Sequence, residues 1–359
     1  MTIGIAAAGS GGHVYPALAV ADELVERGTP RDEITFFGGD RMEAAVVPDA
    51  GYAFVGVDIH GIRRSVSIDN VKLPMKIRSA RTVIVDTIKE RNIRVMLVFG
   101  GYVAGPAALA ARHSKIPLIV HEANAVPGIA NRLVAGRADT VYTAFGPAKK
   151  KLPMAHTIGS PLRASFENFD RDHLRAQARA RLGIAGDSRV LVIVGGSLGA
   201  AALNEIGVSL AEAPDRDYTI VHVCGPTHET RLLELSADTD RWIVKGYEDD
   251  MPMLYAAADL VLARGGAMTI AELHATQTPA VIVPLPAGSG YQGMNAADAV
   301  AAGGMMTIDQ DHPQDIVAMV LALLGDVERL MNMSNALAHA PHLDAAGIIA
   351  DRTVAVLHA

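Results

Sequence analysis

Cysteine is all but missing: Cys224 is the only one in 359 residues, which excludes an intrachain disulfide and a cysteine-built metal site. That usage fits a reducing compartment. Positive charge is in deficit, with 32 Lys and Arg against 39 Asp and Glu and a net charge of −7. This balance argues against a nucleic-acid partner, which needs a basic surface to neutralise phosphate, although a local basic patch stays open. Long apolar runs are also lacking. The stretch 95–111 is broken by Gly100, Gly101, Gly105 and Pro106, and none reaches the ~20 residues of a membrane-spanning helix. No Lys or Arg precedes the first apolar segment, so it does not read as a secretion signal, and a cytoplasmic location is expected. No short-period repeat or low-complexity segment is present.

Two chemistries are disfavoured by what is missing around their characteristic residues. The pairs Asp170/Asp172, Asp215/Asp217, Asp238/Asp240 and Asp309/Asp311 have cation-motif spacing but stand in polar, loop-like stretches, where solvated turns are expected. No metal and no other cofactor is expected. Ser197 has no base in its own segment, and Gly-Gly-Ser-Leu-Gly departs from the nucleophile-elbow pattern of hydrolases.

What is present is a pattern stated twice. The run Ile3 to Ala8 leads into Gly9-Ser10-Gly11-Gly12-His13, and Val190 to Val194 leads into Gly195-Gly196-Ser197-Leu198-Gly199-Ala200. Each apolar run ends in glycines and then opens an amphipathic helix. Glycine permits the tight turn and close backbone approach to a phosphate, and the helix start supplies unpaired N–H groups and about half a positive charge. Two such units, each heading its own strand and helix alternation, predict an α/β protein with two Rossmann-like domains, their parallel sheets facing across a cleft. Further apolar runs at 95–99, 116–120, 219–223, 242–244, 260–262 and 280–283 lack polar alternation, as strands covered on both faces do. Domain 1–160, domain 161–340 and a closing helix within 341–359 follow from this pattern. Whether that helix returns to the first domain is not set by its periodicity.

Candidate chemistry clusters after the strands. His13 closes the first loop at the carboxyl end of its strand, where a neutral imidazole can accept a proton from a hydroxyl; the competing role is a backbone cap. His121 and Glu122 follow another strand directly, as a site pair or as a pair held in structural hydrogen bonds. Arg264 to Thr269 resembles a further phosphate-facing helix start, with Glu272 one turn inside, suited to ribose hydroxyls or to a surface salt bridge. Arg163 can match a diphosphate bidentately. Arg63, Arg64, Lys72, Lys76 and Arg78, interleaved with Leu73, Met75 and Ile77, form a basic and apolar stretch suited to an anionic membrane surface or to an ordinary solvated helix start.

As a set, in order and spacing, Gly9 to Ala19, Phe99 to Pro106, His121-Glu122-Ala123-Asn124, Gly195 to Ala200 with Leu203-Asn204, and Arg264 to Glu272 resemble the MurG family across essentially the whole chain. These are the bacterial UDP-N-acetylglucosamine transferases of peptidoglycan synthesis. The resemblance implies the GT-B fold and an inverting, metal-independent transfer to the undecaprenyl-linked acceptor lipid I, giving lipid II at the cytoplasmic face of the cell membrane. It assigns catalysis to His13 and Glu122, and the acceptor side to Ser10, Gly11, Gly12, Tyr102, His121 and Asn124. It assigns UDP-GlcNAc to Arg163, Gly196, Ser197, Asn204, Glu248, Ala267, Met268, Thr269, Glu272, Gln292 and Asn295. Leu198 and Ala123 stand where the family usually has Gln, and Tyr291-Gln292, after Ala287 to Gly290, replaces a Gln-Gln pair. Such departures leave open a related transferase with another acceptor or sugar, an epimerase, or a binding protein without turnover. A dinucleotide oxidoreductase is disfavoured, because no clean Gly-x-Gly-x-x-Gly is followed by the acidic residue that closes a second strand.

Overall fold

The computed structural model describes residues 2–59, 68–214, 216–286, 291–338 and 344–358, and within these every side chain except those of 68–72 and 167. The chain divides into a first unit, Met1–Ala164 with Leu343–Ala359, and a second, Ser165–His342. The division falls after Arg163, which therefore belongs to the first unit and not, as expected, to the second.

The first unit runs β1 (Thr2–Ala7), α1 (Gly11–Glu26), β2 (Ile34–Gly38), α2 (Glu43–Asp49), β3 (Ala53–Gly56), α3 (Ile68–Glu90), β4 (Ile93–Gly100), α4 (Ala104–Ser114), β5 (Leu118–Glu122), α5 (Ile129–Ala135), β6 (Thr140–Thr143) and β7 (His156–Thr157). A short helix, α6 (Ala164–Glu167), stands at the division. The second unit continues with α7 (Arg171–Arg181), β8 (Arg189–Val194), α8 (Ala201–Ala211), β9 (Tyr218–Val223), α9 (Glu229–Ser236), β10 (Trp242–Lys245), α10 (Met251–Ala257) and β11 (Leu260–Ala263). It ends with α11 (Ala267–Ala275), β12 (Ala280–Ile282), α12 (Tyr291–Asn295), α13 (Ala297–Ala301), β13 (Met305–Thr307), α14 (Pro313–Leu324) and α15 (Val327–Ala338); α16 (Ala345–His358) returns to the first unit.

Each unit holds one parallel sheet. The first has seven strands in the order β3-β2-β1-β4-β5-β6-β7, and the second six in the order β10-β9-β8-β11-β12-β13. Register runs Ile5 beside Phe36 and Leu97 in the first sheet, and Leu191 beside Ile220 and Leu260 in the second. The central strands are apolar on both faces because helices cover both. In the first unit Ile3, Ile5 and Val95 pack with Leu18 and Leu24 of α1 and Ala345 and Ile349 of α16, while Met96 and Val98 pack with Ile84 of α3 and Ala107 of α4. Each such Leu, Ile, Val or Met side chain, fully buried, contributes about 1.5–3 kcal/mol.

Sheet order fixes where loops of interest meet. From the adjacent strands β1 and β4, α1 leads to β2 on one side and α4 to β5 on the other; from β8 and β11, α8 and α11 diverge in the same way. Each sheet therefore has a switch point at the carboxyl ends of its central pair, where α/β sheets hold ligands. The first switch point carries the 8–13 and 100–103 loops, and the second the 195–200 and 264–266 loops. No helix of the described residues is long and apolar enough to cross a membrane.

Candidate active site

At the first switch point the loops close on one another. Gly9, Gly100 and Gly101 all have positive φ, of 95°, 120° and 79°, a conformation glycine adopts without strain. A side chain at Gly101 would collide with the Ala8 carbonyl, and one at Gly100 would lie 2.7 Å from Cδ2 of His13. The imidazole thus rests directly on the β4 exit. Its Nδ1 lies 3.1 Å from the Ala8 carbonyl and 3.2 Å from the Ser10 hydroxyl. A carbonyl only accepts, so Nδ1 carries the proton and the neutral ring presents Nε2 as a lone pair. Burial lowers the pKa of His13, with the Ala8 bond and the charge of Glu43 acting in the opposite sense. The outcome at neutral pH is a base and not an imidazolium.

Neighbouring groups are held inward. His121, at the end of β5, is buried with Nε2 3.0 Å from the Gly159 carbonyl, and burial pushes its pKa down to about 4. Glu122, expected beside His13 in the chemistry, is instead the acceptor around which its own loop is wound. It takes the N–H of Asn124 (2.9 Å), the N–H of Gly128 (3.1 Å) and the amide of Asn131 (3.0 Å), and is buried. Burial raises its pKa against these donors. Tyr102, expected toward the acceptor, donates its hydroxyl to Glu43 at 2.5 Å. Arg163, expected at a diphosphate, lies with its guanidinium 5.6 Å from the centre of the Tyr15 ring on α1.

At the second switch point the loops lean apart. The 195–200 loop turns on Gly196 and Gly199, with φ of 91° and 77° and a 2.9 Å bond from Gly199 N–H to the Gly196 carbonyl. It rests on the exit of β9: a side chain at Gly199 would collide with the Cys224 carbonyl, and one at Gly225 with the Leu198 carbonyl. Gly196, Ser197 and Leu198 are exposed, Leu198 by 81%. Across the switch point, Gly265 leans on the backbone of Gln292, away from β8. Ala267, Met268 and Thr269 form the first turn of α11, ahead of the Ile270 N–H to Gly266 carbonyl bond at 3.0 Å. The first amides of α8 and α11, which have no intrahelical carbonyl to bond, thus stand at this edge.

Several residues expected on the sugar nucleotide hold these loops from beneath. Asn204 is buried, donating to the Cys224 carbonyl at 3.1 Å and accepting from His222 Nε2 at 3.0 Å. Asn295 donates to the Gly265 carbonyl at 2.9 Å, and Gln292 accepts from Leu285 N–H at 3.0 Å. Arg264 donates to the carbonyls of Val283 and Pro284 and to Gln310, so its guanidinium braces the β12 exit. Glu272 accepts from the Tyr255 hydroxyl at 3.3 Å. Burial would raise Glu248, but Lys245 at 2.5 Å and the N–H of Asp250 outweigh it and hold the pKa down. A cavity of about 630 Å³ lined by Ser188, Asp217, Thr239 and Trp242 opens at the amino ends of β8 to β10, the opposite edge from these loops. Among the described residues no group of three or more His, Cys, Asp or Glu could hold a metal ion.

Comparison with known proteins agrees with this layout. Residues 3–143 match the glycosyltransferase family 28 N-terminal domain, and residues 190–347 the family 28 C-terminal domain. The chain is 39% identical to the UDP-N-acetylglucosamine--N-acetylmuramyl-(pentapeptide) pyrophosphoryl-undecaprenol N-acetylglucosamine transferase of Mycobacterium sp. (strain KMS), over 96% of this chain and 93% of the relative. It is 39% identical to the transferase of the same description from Mycobacterium tuberculosis (strain ATCC 25177 / H37Ra), over 99% and 89%. The crystal structure of Acinetobacter baumannii MurG superposes with a TM-score of 0.77 at 29% identity, covering 98% of each chain. The chain belongs to the MurG family.

MurG membership makes the molecule a glycosyltransferase with two parallel-sheet Rossmann-like units of GT-B type. The motifs by which the sequence resembles MurG fall along the carboxyl edges of the two sheets, at the switch points and, for His121 to Asn124, at the neighbouring β5 exit. Two residues that organise the loops of the first unit were not legible in those motifs: Glu43, fully buried at the start of α2, which holds Gly9, and Asn131 on α5, which donates to Glu122 and to the His121 carbonyl. Neither has a companion in its own segment to mark it. Arg63, Arg64 and Ala287 to Gly290 lie outside the described residues, as does the side chain of Lys72. Lys76 is described and pairs with Asp58 at 3.0 Å.

Proposed function

We propose that this chain transfers N-acetylglucosamine from UDP-GlcNAc to the undecaprenyl-pyrophosphoryl muramyl-pentapeptide acceptor, lipid I, forming lipid II for peptidoglycan. Support comes from the MurG relatives and, in the geometry, chiefly from one observation: the His13 ring is fixed with Nδ1 on the Ala8 carbonyl, leaving Nε2 as a base at the carboxyl edge of the first sheet. An acceptor hydroxyl attacks the anomeric carbon of the donor and its proton passes to Nε2. The bond to the diphosphate breaks on the opposite face, so configuration inverts, and the departing UDP carries the electron pair. The first-turn amides of α8 and α11, with Gly196, Ser197, Ala267, Met268 and Thr269, receive the negative charge, and Glu272 takes the ribose. Ser10, Gly11, Gly12, His121 and Asn124 frame the acceptor side.

A peripheral position on the cytoplasmic face of the membrane belongs to the same reading. Ile129 and Leu133, one turn apart on α5, are each 68% exposed, and Met75 of α3 is also exposed. Apolar side chains on the unit assigned to a lipid-linked acceptor suit an anionic bilayer surface.

One assay tests the whole reading. Purified protein is given UDP-GlcNAc and a lipid I analogue in anionic vesicles, and UDP release and product mass are followed. Turnover that weakens with added salt is expected; UDP binding without product, from a well-folded sample, would overturn the transferase reading. A panel of other nucleotide sugars in parallel decides whether Leu198, Ala123 and Tyr291 mark a different donor. His13→Ala is expected to lower turnover about a thousandfold with UDP binding nearly intact, and unchanged turnover would remove His13 from the mechanism.

A further inference from the structure

Glu43 is a fully buried carboxylate that no glycine loop contains, yet three separate loops end on it. Its Oε2 accepts the N–H of Gly9, in the β1 exit, at 3.2 Å. Its Oε1 accepts the N–H of Gly39, in the β2 exit, at 3.0 Å and the hydroxyl of Tyr102, in the β4 exit, at 2.5 Å. Room is made for this convergence: a side chain at Gly38 would lie 2.7 Å from Glu43 Cγ, and one at Gly39 would collide with the Tyr102 hydroxyl. An acidic residue at a helix start often serves only its own first turn. Here the donors come from three strand exits outside α2, two of which flank His13.

We propose that Glu43 is the positioning residue of the transfer reaction: by tying the β1 and β4 exits together it holds His13 in its reactive tautomer and orientation while keeping a negative charge beneath that loop. The inference rests on His13 acting as the acceptor-side base. His13 is held through the Ala8 carbonyl, Ala8 is adjacent to Gly9, and Gly9 is held by Glu43, so the carboxylate reaches the imidazole through one loop on one side. On the other side it fixes Tyr102, two residues beyond the Gly100 surface on which the ring lies. Among the described residues the charged group acting on His13 is Glu43, while His13 in turn lowers the pKa of His121; the Arg41 guanidinium lies 5.8 Å from the Tyr102 ring centre. Although burial works against it, Glu43 is held below the usual carboxylate range, first by the Tyr102 hydroxyl and then by backbone N–H groups. It is ionised where the enzyme works.

The test compares E43Q, E43D and Y102F with the wild type for steady-state kinetics, UDP affinity and the pH dependence of kcat/KM. In E43Q, kcat is expected to fall about a hundredfold, since small displacements of a catalytic group have effects of that size. KM for UDP-GlcNAc and Kd for UDP should stay within about twofold, because the second unit is untouched. Loss of the negative charge disfavours the imidazolium, so the acid limb of kcat/KM moves to lower pH. E43D keeps the charge but not the reach, so kcat falls while the limb stays in place. A residue that only stabilised the fold would lower the active fraction and leave the limb of both variants unmoved. Wild-type kcat in E43Q, or an unmoved acid limb, overturns the proposal. If E43Q does not fold, Y102F carries the decision: about a tenfold fall in kcat with unchanged UDP affinity supports it, and unchanged kcat overturns it. A wild type without turnover defeats the transferase reading and this inference together, whereas an inactive His13→Ala beside a fully active E43Q defeats this inference alone.

Discussion

In the first unit the loops along the carboxyl edge of the sheet are fastened by buried carboxylates, Glu43 under Gly9, Gly39 and Tyr102, and Glu122 under Asn124, Gly128 and Asn131. In the second unit the equivalent fastening is done by neutral amides: Asn204 under Cys224, Asn295 under Gly265, Gln292 under Leu285. The two sheets share strand order, so topology does not dictate the difference. Charge does. Two like charges 8 Å apart at an effective dielectric of 20 repel by about 2 kcal/mol, so a carboxylate beneath the α8 and α11 amides would oppose a departing diphosphate. Under the first unit's loops the same negative charge is useful, because it favours proton uptake by His13. The loop directions follow suit: Gly101 closes across the switch point onto Ala8, whereas Gly199 and Gly265 lean outward from theirs.

The two units also share one liability, which gives the largest expected effect. His121 in the first and His222 in the second are both buried, and burial holds each pKa at about 4 against 6.5 when unfolded. Above pH 6.5 neither state takes a proton there, and stability is independent of these groups. Between 6.5 and 4 the unfolded chain binds protons that the native one refuses, so stability falls on acidification, by about 3 kcal/mol for each histidine once pH 4 is reached. Thermal unfolding followed from pH 7 to 4.5 should show a steep loss of Tm, and a flat profile would mean that the rings are not held neutral. Next in size is Glu122→Ala, which removes the acceptor of three donors of the first unit, the amide of Asn131 buried among them, and should cost about 3 kcal/mol in chemical denaturation. A cost below about 1 kcal/mol would remove Glu122 as the organiser of its loop and weaken the contrast between the units.

The sequence shows where the loops are better than it shows which way their side chains point. The strands around the two glycine turns read clearly because both faces are buried and polar residues are excluded from them. Strands β2, β3, β6 and β13 did not stand out, since a strand as short as Met305–Thr307 owes its state to its sheet neighbour and not to its own pattern. Among site residues, His13, Ser197 and the first turn of α11 lie where their motifs place them, at the carboxyl edges. Glu122, Tyr102, Asn204, Gln292 and Asn295 belong to the same motifs but turn inward, because a motif marks that a side chain is required at a position and not whether it holds substrate or backbone. Glu43 escaped for a different reason: its partners lie 34 and 59 positions away, and only the folded sheet brings them together.

The finest test of the contrast exchanges the second unit's chemistry for the first's. Asn204→Asp keeps shape but places a carboxylate beneath the donor loop, facing the Cys224 carbonyl that the amide formerly satisfied. Asn204→Ala removes the same hydrogen bond without adding charge. At about pH 8, where an imidazole such as His222 is neutral, UDP is expected to bind Asn204→Asp about tenfold more weakly than Asn204→Ala. Uridine, which lacks phosphate, should not distinguish the two variants. A loop merely loosened by either substitution would weaken UDP binding equally in both. Equal loss would therefore dispose of the charge argument while leaving the hydrogen-bonded support of the loop in place, and a larger loss confined to the phosphorylated ligand would tie the use of amides beneath the second unit's glycine loops to the charge those loops have to receive.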